Sequence, residues 1–392
     1  MKANALPAET NMSAQMLNAR YLGIYLTTVF SGAYLTKLGL SPVYPLMGMG
    51  MLLLAALICT GRVSGSSGFW GSLALTVGLL SAFGVYQNTV GASIQNVVNF
   101  MLGPISFFLI FGAGRALTKP RLEKISRYFV YFTILIAAVE CAYRLTHPDF
   151  AFLEGAEERN VDIDEVAFYA YKFSSLMYLD SNFVGLQLAI VLGFCLAVNR
   201  YEIHFRPVVY FALVILIILT LSRASMLAGC TAVAVWWFYR MSKWIKTVAI
   251  AIAVIAVQLV FIKIHADGSF LTKIELLNQF STHLSVAKPA VLLFGAGVGN
   301  AALVLGMGAH NLLVTYGVEL GLVVSGLIFV FWASVCVIER STVFLVVVWL
   351  VNGFSLTSFA VPYMYCAAAV LCCLAKSERL SQYNAVSGNF KE

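Results

Sequence analysis

A histidine, an asparagine and a glutamate follow a glycine-rich run in the segment FGAGVGNAALVLGMGAHNLLVTYGVELG, residues 294–321. If an apolar helix begins near His310, Asn311 and Glu319 fall on one stripe of that helix. Glu319 would then lie ~13 Å below the start of the helix, at ~1.5 Å per residue. An ionisable group at that depth in a membrane should face the bundle interior or a wet cavity. The imidazole of His310, at the start of the helix, could accept a proton from a sugar hydroxyl near neutral pH.

The glycine-rich run does not have the pattern of a nucleotide-binding loop. No strand-like segment precedes Gly295, and no GK[ST] triplet follows the run. Each polar residue also has a structural alternative. Asn311 could cap a helix, His310 could lie at the interface, and Glu319 could bind another helix.

An arginine stands between two apolar stretches in LTLSRAS, residues 219–225. With no spacer, the chain must reverse direction near Ser222 and Arg223. The planar guanidinium of Arg223 suits bidentate binding of a phosphate or diphosphate. The alternative is an interfacial arginine that reaches lipid headgroups.

Further polar residues occur in LDSNFVG, residues 179–185. Asp180 and Asn182 could cap the helix that follows or bind sugar hydroxyls. Glu140 and Arg144, at i and i+4, are expected to pair with each other. Outer basic residues, including Lys288, could attract an anionic lipid-linked substrate.

The elements that must position these residues are membrane spans. The 392 residues are 60% hydrophobic and 11% charged, which exceeds what a globular core requires. A span needs roughly 20 apolar residues. Windows of that length predict twelve spans in an all-α transmembrane bundle: about 21–38, 42–60, 68–86, 96–114, 127–146, 181–198, 206–222, 223–239, 246–264, 310–336, 342–358 and 359–375.

The distribution of Lys and Arg predicts the orientation. With both termini in the cytoplasm, most of the 25 basic residues fall on the inner side. The chain is then a single integral domain, 1–392, of the bacterial inner membrane. Two large loops, 143–180 and 265–309, would lie in the periplasm, and residues 166–179 could form an amphipathic interfacial helix. The net charge of +7 indicates anchoring to anionic lipid rather than binding to nucleic acid.

The eight cysteines fall in or beside apolar windows and form no zinc-binding pattern. We therefore expect packing roles for them, and no metal or other cofactor.

The segments LDSNFVG (179–185), LSRAS (221–225) and FGAGVGN…AHNLLVTYGVELGLVVSG (294–326), in this order, resemble the O-antigen polymerase/ligase superfamily. Members are bacterial inner-membrane glycosyltransferases, so the resemblance implies a GT-C-like bundle. The resemblance implies an undecaprenyl-diphosphate-linked oligosaccharide as donor and a second one as acceptor, joined at the periplasmic face. It also implies that Arg223 holds the diphosphate, that His310 activates the acceptor, and that Asn311 and Glu319 support the site. A chain-length regulator and a flippase are candidate protein partners.

The chain departs from the family pattern at one position. Relatives have a second arginine shortly before the glycine-rich run, where this chain offers His283 and Lys288. The predicted catalytic residues are His310, Arg223 and Glu319. The predicted substrate-binding residues are Asn311, Asp180, Asn182, His283 and Lys288. Three activities stay open: repeat-unit polymerase, ligase to lipid A-core, and flippase or other transporter. We favour polymerase because of the LDSN segment and the size of the first loop.

Overall fold

The fold is helical throughout the part of the chain that the computed structural model describes, which is residues 6–61, 67–150, 170–178, 180–242 and 268–388. Those residues contain no β-strand, only an isolated bridge between Leu35 and Met177. They form fifteen α-helices: α1 Leu6–Val29, α2 Gly48–Cys59, α3 Ser67–Thr89, α4 Ile94–Gly114, α5 Lys119–Thr146, α6 Ser181–Val198, α7 Pro207–Leu219, α8 Arg223–Arg240, α9 Gly268–Val286, α10 Pro289–Phe294, α11 Ala301–Leu305, α12 Leu312–Glu319, α13 Gly321–Ile338, α14 Val343–Gly353 and α15 Pro362–Gly388.

Several of these helices are long and apolar enough to cross a membrane. Five qualify among the described residues: Gly68–Thr89, Ile94–Gly114, Lys119–Thr146, Ser181–Tyr201 and Gly321–Ile338. Shorter apolar helices cover Val43–Cys59, Pro207–Leu219 and Arg340–Gly353. The protein is therefore a membrane-embedded helical bundle. The count of twelve spans stays a prediction, and its ninth window, 246–264, lies outside the described residues.

The centre of the bundle is formed by α6 and α15. In the most apolar part of α6, 89% of the residues are buried inside the protein, and it packs against α8 and α14. Small residues allow this close approach, as is usual between membrane helices. At Gly185 in α6, an added Cβ would lie 2.5 Å from Oγ of Ser225 in α8. Helix α15 packs mainly against α4.

Basic residues gather at one end of the bundle, which we call the basic end. Lys119 pairs with Glu202 at 3.1 Å, and Arg200 lies 3.7 Å from Glu339. Arg379 donates to the carbonyl of Ile338 at 3.2 Å. These contacts join segments that the positive-inside rule assigns to one side of the membrane.

The opposite end, which we call the loop end, gathers the other helix termini. Ser181 Oγ at the start of α6 donates to the Thr220 carbonyl after α7, at 2.8 Å. Tyr86 near the end of α3 donates through its hydroxyl to the Gly295 carbonyl at 2.7 Å. Every predicted site residue lies in a segment that belongs to this end.

Four expectations about elements require correction. The tenth predicted span, 310–336, is two helices, α12 and α13, because the backbone turns at Gly321, whose φ is +72°. The described part of the predicted loop 265–309 is mostly helical, as α9, α10 and α11. The amphipathic helix expected over residues 166–179 is helical only at 170–173 within its described part, and 174–178 are not helical. The first helix ends at Val29 rather than near Lys37. Residues 151–169 and 179 of the first loop lie outside the described part.

Candidate functional site

The glycine-rich run packs by its backbone against the junction of α12 and α13. The amide of Ala296 donates to the Val318 carbonyl at 2.7 Å. Gly295 has a φ of +88°, and an added Cβ there would lie 2.1 Å from the Glu319 carbonyl oxygen. At Gly321 an added Cβ would lie 2.4 Å from the Gly295 nitrogen. Both positions therefore require glycine for conformation and for space.

The Glu319 carboxylate fixes this run in place. Its Oε2 accepts from the Gly299 amide at 2.7 Å, and its Oε1 accepts from the Ala301 amide at 3.0 Å. The residue is only 4% exposed. Glu319 therefore faces the protein interior, one of the two surroundings that the sequence predicts, but the continuous span expected around it is wrong because α12 ends at this residue. Its observed interactions organise the loop.

His310 and Asn311 lead into α12. Asn311 caps the helix, since its Oδ1 accepts from the amides of Leu313 at 3.0 Å and Val314 at 3.3 Å. His310 is exposed. Its ring lies over Gly308, where an added Cβ would be 3.0 Å from Nε2. The imidazole is thus accessible at the loop end, and the capping alternative for Asn311 is confirmed.

Arg223 is the first residue of α8, at the reversal that the sequence predicts. Leu221 adopts a left-handed φ of +58° in this turn, and Ser222 caps α8 by accepting from the Ser225 amide at 3.3 Å. Arg223 itself is exposed. The tight turn leaves its guanidinium at the surface of the loop end, on the α6 and α14 side of the bundle.

A cation that sequence reasoning missed, Lys172, lies close to Arg223. Burial lowers the pKa of the Lys172 ammonium; the Asp180 carboxylate opposes this shift, and the charges of Arg223 and Arg144 add to it. Hydrogen bonds from Arg144 also hold the segment that contains Lys172 in place. Arg144 donates from Nη1 to the Tyr171 carbonyl at 3.3 Å and from Nη2 to the Leu219 carbonyl. The Lys172 ammonium therefore lies within electrostatic range of Arg223 and of the Asp180 carboxylate.

The expected pairing of Glu140 with Arg144 is confirmed. Arg144 Nε lies 3.2 Å from Glu140 Oε1, with both side chains almost fully buried. Ser175 donates to the same carboxylate oxygen at 2.9 Å. The pair thus anchors the first loop to α5.

Asp180 and Asn182 begin α6. Asp180 Oδ1 accepts from the Asn182 amide at 2.8 Å, and its Oδ2 accepts from Asn182 Nδ2 at 2.6 Å. The capping interpretation of Asp180 is confirmed. Both side chains are half-buried, and the Asp180 carboxylate also faces Lys172.

Asn352, at the end of α14, lies between the Arg223 turn and the start of α12. Its Nδ2 donates to Ser225 Oγ at 3.0 Å, and its Oδ1 is buried without a hydrogen-bond partner. The neighbouring Gly353 lies against Leu312, with an added Cβ 2.8 Å from that side chain's Cβ. Arg223 and His310 therefore lie at the same end of the bundle, connected through the end of α14.

His283 and Lys288 lie on a different side of the loop end. His283 belongs to α9, which packs on α11 and α12, and Lys288 caps α10, which packs on α13. Arg223 belongs to α8, which packs on α6 and α14. Burial lowers the pKa of His283, whose Nε2 is buried without a partner. Lys172, rather than His283 or Lys288, is the cation that these contacts bring to Arg223.

No group of three metal-ligating side chains occurs among the described residues, and the eight cysteines are unpaired thiols. Comparison of the chain with protein-family models and with curated proteins gives no match.

Proposed function

We propose that this protein is an inner-membrane glycosyltransferase that polymerises undecaprenyl-diphosphate-linked oligosaccharide repeat units at the periplasmic face. The observation that carries the proposal is that Arg223 and His310 are both exposed at the loop end and are connected through the end of α14. A second cation, the half-buried Lys172, comes from a distant segment and lies within electrostatic range of Arg223. Together these two cations favour an anion of high charge density at this end of the bundle.

The proposed reaction transfers a glycan from one carrier to another. An acceptor hydroxyl attacks the anomeric carbon of the donor sugar, the bond from that carbon to the diphosphate oxygen breaks, and undecaprenyl diphosphate leaves with the electron pair. His310 accepts the hydroxyl proton as the new glycosidic bond forms. Arg223 and Lys172 stabilise the negative charge that develops on the leaving diphosphate.

Glu319 and Asn311 have positioning roles in this proposal. Asn311 caps α12, the helix that follows His310, and Glu319 holds residues 299–301 against the end of the same helix. A fixed loop keeps His310 at a constant place relative to the diphosphate site, as efficient proton transfer requires. Asp180 orients Lys172 and could bind a sugar hydroxyl together with Asn182.

The location at a bundle end fits the substrate. The donor carries a polyprenyl tail that partitions into hydrocarbon and a glycan that stays in water. Its diphosphate must therefore lie at the boundary between the two. Arg223, at the terminus of an apolar helix pair, is placed for contact with a headgroup at that depth.

The test is a chromosomal Arg223→Ala substitution, scored by the surface-polysaccharide ladder on a gel. We expect chain extension to fall by about 10²-fold or more, because one charge-stabilising contact to the leaving group is lost. The protein should remain in the membrane at its normal level. Arg206→Ala, an exposed arginine that precedes α7 at the basic end, is the matched control and should leave the ladder unchanged.

The same gel separates the alternatives. A single repeat still attached to lipid A-core indicates a lost polymerase, whereas core without any repeat indicates a lost ligase. Repeat units retained on the cytoplasmic side indicate a lost flippase. A normal ladder in the Arg223→Ala strain would refute the assignment of this site.

A further inference from the structure

A cavity at the basic end is lined by cations and aromatic rings. It has a volume of about 470 Å³ and lies between the start of α3, the end of α4, the end of α13 and α15. Its basic side chains are Arg115 and Lys376. An adjoining cavity of about 370 Å³ shares Lys376 and adds Arg379. Neither cavity is lined by an aspartate or a glutamate, so this pocket has an excess of positive charge.

Arg115 is half-buried, and its guanidinium pairs with no carboxylate among the described residues. Its guanidinium carbon lies 4.4 Å from the ring centre of Phe69 and 4.7 Å from that of Phe111. Its Nε is buried and has no hydrogen-bond partner. Two aromatic faces stabilise a cation, but they do not replace a hydrogen-bond acceptor. In the described part of the chain, no group therefore accepts a hydrogen bond from Nε of Arg115.

An apolar groove continues from this cavity along the bundle. The groove has a volume of about 410 Å³ and shares Phe108 and Phe331 with the cavity. Its other walls are apolar side chains of α3, α4, α13 and α15, among them Leu79, Leu327 and Tyr365. Helix α3, which forms one wall, has only 17% of its membrane-spanning window buried, so the groove borders the surface that faces lipid.

The groove has a limited length. Its far end is bordered by Tyr86 and Phe294, whose ring centroids lie 5.8 Å apart. The Tyr86 hydroxyl donates a hydrogen bond to the Gly295 carbonyl. From Gly68 to Tyr86, α3 rises about 27 Å, at ~1.5 Å per residue. An acyl chain extends through about half of a hydrocarbon core of ~30 Å and fits this length. The much longer tail of a polyprenyl carrier does not.

We propose that an anionic phospholipid binds here, with its phosphate on Arg115 and Lys376 and one acyl chain in the groove between α3 and α13. Basic pockets between membrane helices at the positively charged side recognise such headgroups. The shape and charge of the pocket match a lipid with a phosphate at the interface and a chain directed into the bilayer. This site is independent of the reaction proposed at the loop end.

The test is lipid binding to the purified, full-length protein in detergent, measured by native mass spectrometry and titration. The probes are dioleoyl phosphatidylglycerol, dioleoyl phosphatidylcholine and undecaprenyl phosphate. We expect phosphatidylglycerol to bind about tenfold more tightly than phosphatidylcholine, and Arg115→Gln with Lys376→Gln to remove that preference. The control, Lys124→Gln with Arg206→Gln, removes two exposed charges from the same end and should preserve it.

A second pair of variants tests the groove without changing charge. Ala82 lines the groove, so Ala82→Trp should reduce phosphatidylglycerol binding. Val85 lies on the same helix and its side chain is 70% exposed, so Val85→Trp should leave this binding unchanged. Three results would overturn the proposal: equal binding of phosphatidylcholine, unchanged binding by the Arg115 and Lys376 double variant, or displacement of phosphatidylglycerol by an equal concentration of undecaprenyl phosphate. The last result would identify the carrier lipid as the occupant.

Discussion

Several side chains at the loop end both stabilise the local structure and lie near the proposed diphosphate site. Glu319 is the clearest case, since its two carboxylate oxygens accept from two backbone amides of a neighbouring loop. A buried amide that loses its acceptor costs about 1–3 kcal/mol. Stability and activity are therefore coupled at this residue, and substitutions must separate them.

For Glu319, we expect Glu319→Ala to lower the melting temperature and to reduce chain extension, because the Gly299 and Ala301 amides lose their acceptors. Glu319→Gln keeps one carbonyl oxygen and should destabilise by about 1 kcal/mol, roughly half the effect of alanine. Differential scanning fluorimetry in detergent and the polysaccharide ladder measure the two effects. A Glu319→Gln protein of normal stability and no activity would instead indicate that the carboxylate transfers a proton.

The sequence predicted Arg223, His310 and the pairing of Glu140 with Arg144, but it did not predict Lys172. Arg223 stands out because it interrupts two apolar windows. Lys172 lies in the run VAFYAYKFSSLMYL, where a lone lysine resembles an interfacial side chain. Its neighbours, Asp180, Arg223 and Arg144, come from three other segments, and no local pattern encodes that meeting.

Among the helices, the break between α12 and α13 determines the geometry of the loop end. Leu320 separates two helical segments of mainly apolar sequence, and Gly321 begins the second one. The break allows the glycine-rich run to lie with its backbone against the end of α12. Gly295 and Gly321 are 26 positions apart in sequence, but their backbones are in close contact. Neither position therefore has room for a side chain.

At the break, Gly321→Ala should destabilise the protein by about 1 kcal/mol or more, because alanine is strained at a positive φ and its Cβ would clash with the Gly295 nitrogen. Gly326→Ala is the matched control, since Gly326 lies within α13 and an added Cβ there meets nothing within 4 Å. That variant should be neutral or slightly stabilising. The melting temperatures of the two variants measure this difference. Equal values would contradict a requirement for glycine at position 321 in the break.

Apolar windows located most helices well, and the window 181–198 coincides with α6. Hydropathy depends on the local sequence, and that is enough to find a helix that crosses the bundle. It was not enough for the segment 310–336, because glycine inside an apolar run is compatible with a continuous helix. Gly321 combines a left-handed φ with close backbone contact to Gly295, and a contact between residues so far apart in sequence has no local signal.

For the molecule as a whole, the bundle has one end rich in Lys and Arg and another that carries the predicted site residues. The ion pairs Lys119–Glu202 and Arg200–Glu339 bring together connections that are far apart in sequence. This grouping matches the charge asymmetry from which we predict the cytoplasmic side.

Thiol labelling of intact cells tests that orientation. In a background with the eight native cysteines replaced, Lys288→Cys at the loop end should react with a membrane-impermeant maleimide added outside. Lys124→Cys, an exposed position at the basic end, should react only after the inner membrane is permeabilised. The opposite labelling pattern would place the loop end in the cytoplasm and exclude a periplasmic reaction.

The buried Arg144 has a consequence for how the chain enters the membrane during synthesis. Its three acceptor groups appear at very different times: Glu140 precedes it by four residues, Tyr171 follows by 27, and Leu219 follows by 75. When α5 first leaves the ribosome, Glu140 is the sole one of the three already made. The carboxylate one turn earlier neutralises the guanidinium at that moment, so the nascent helix can partition into the bilayer before its permanent neighbours have been translated.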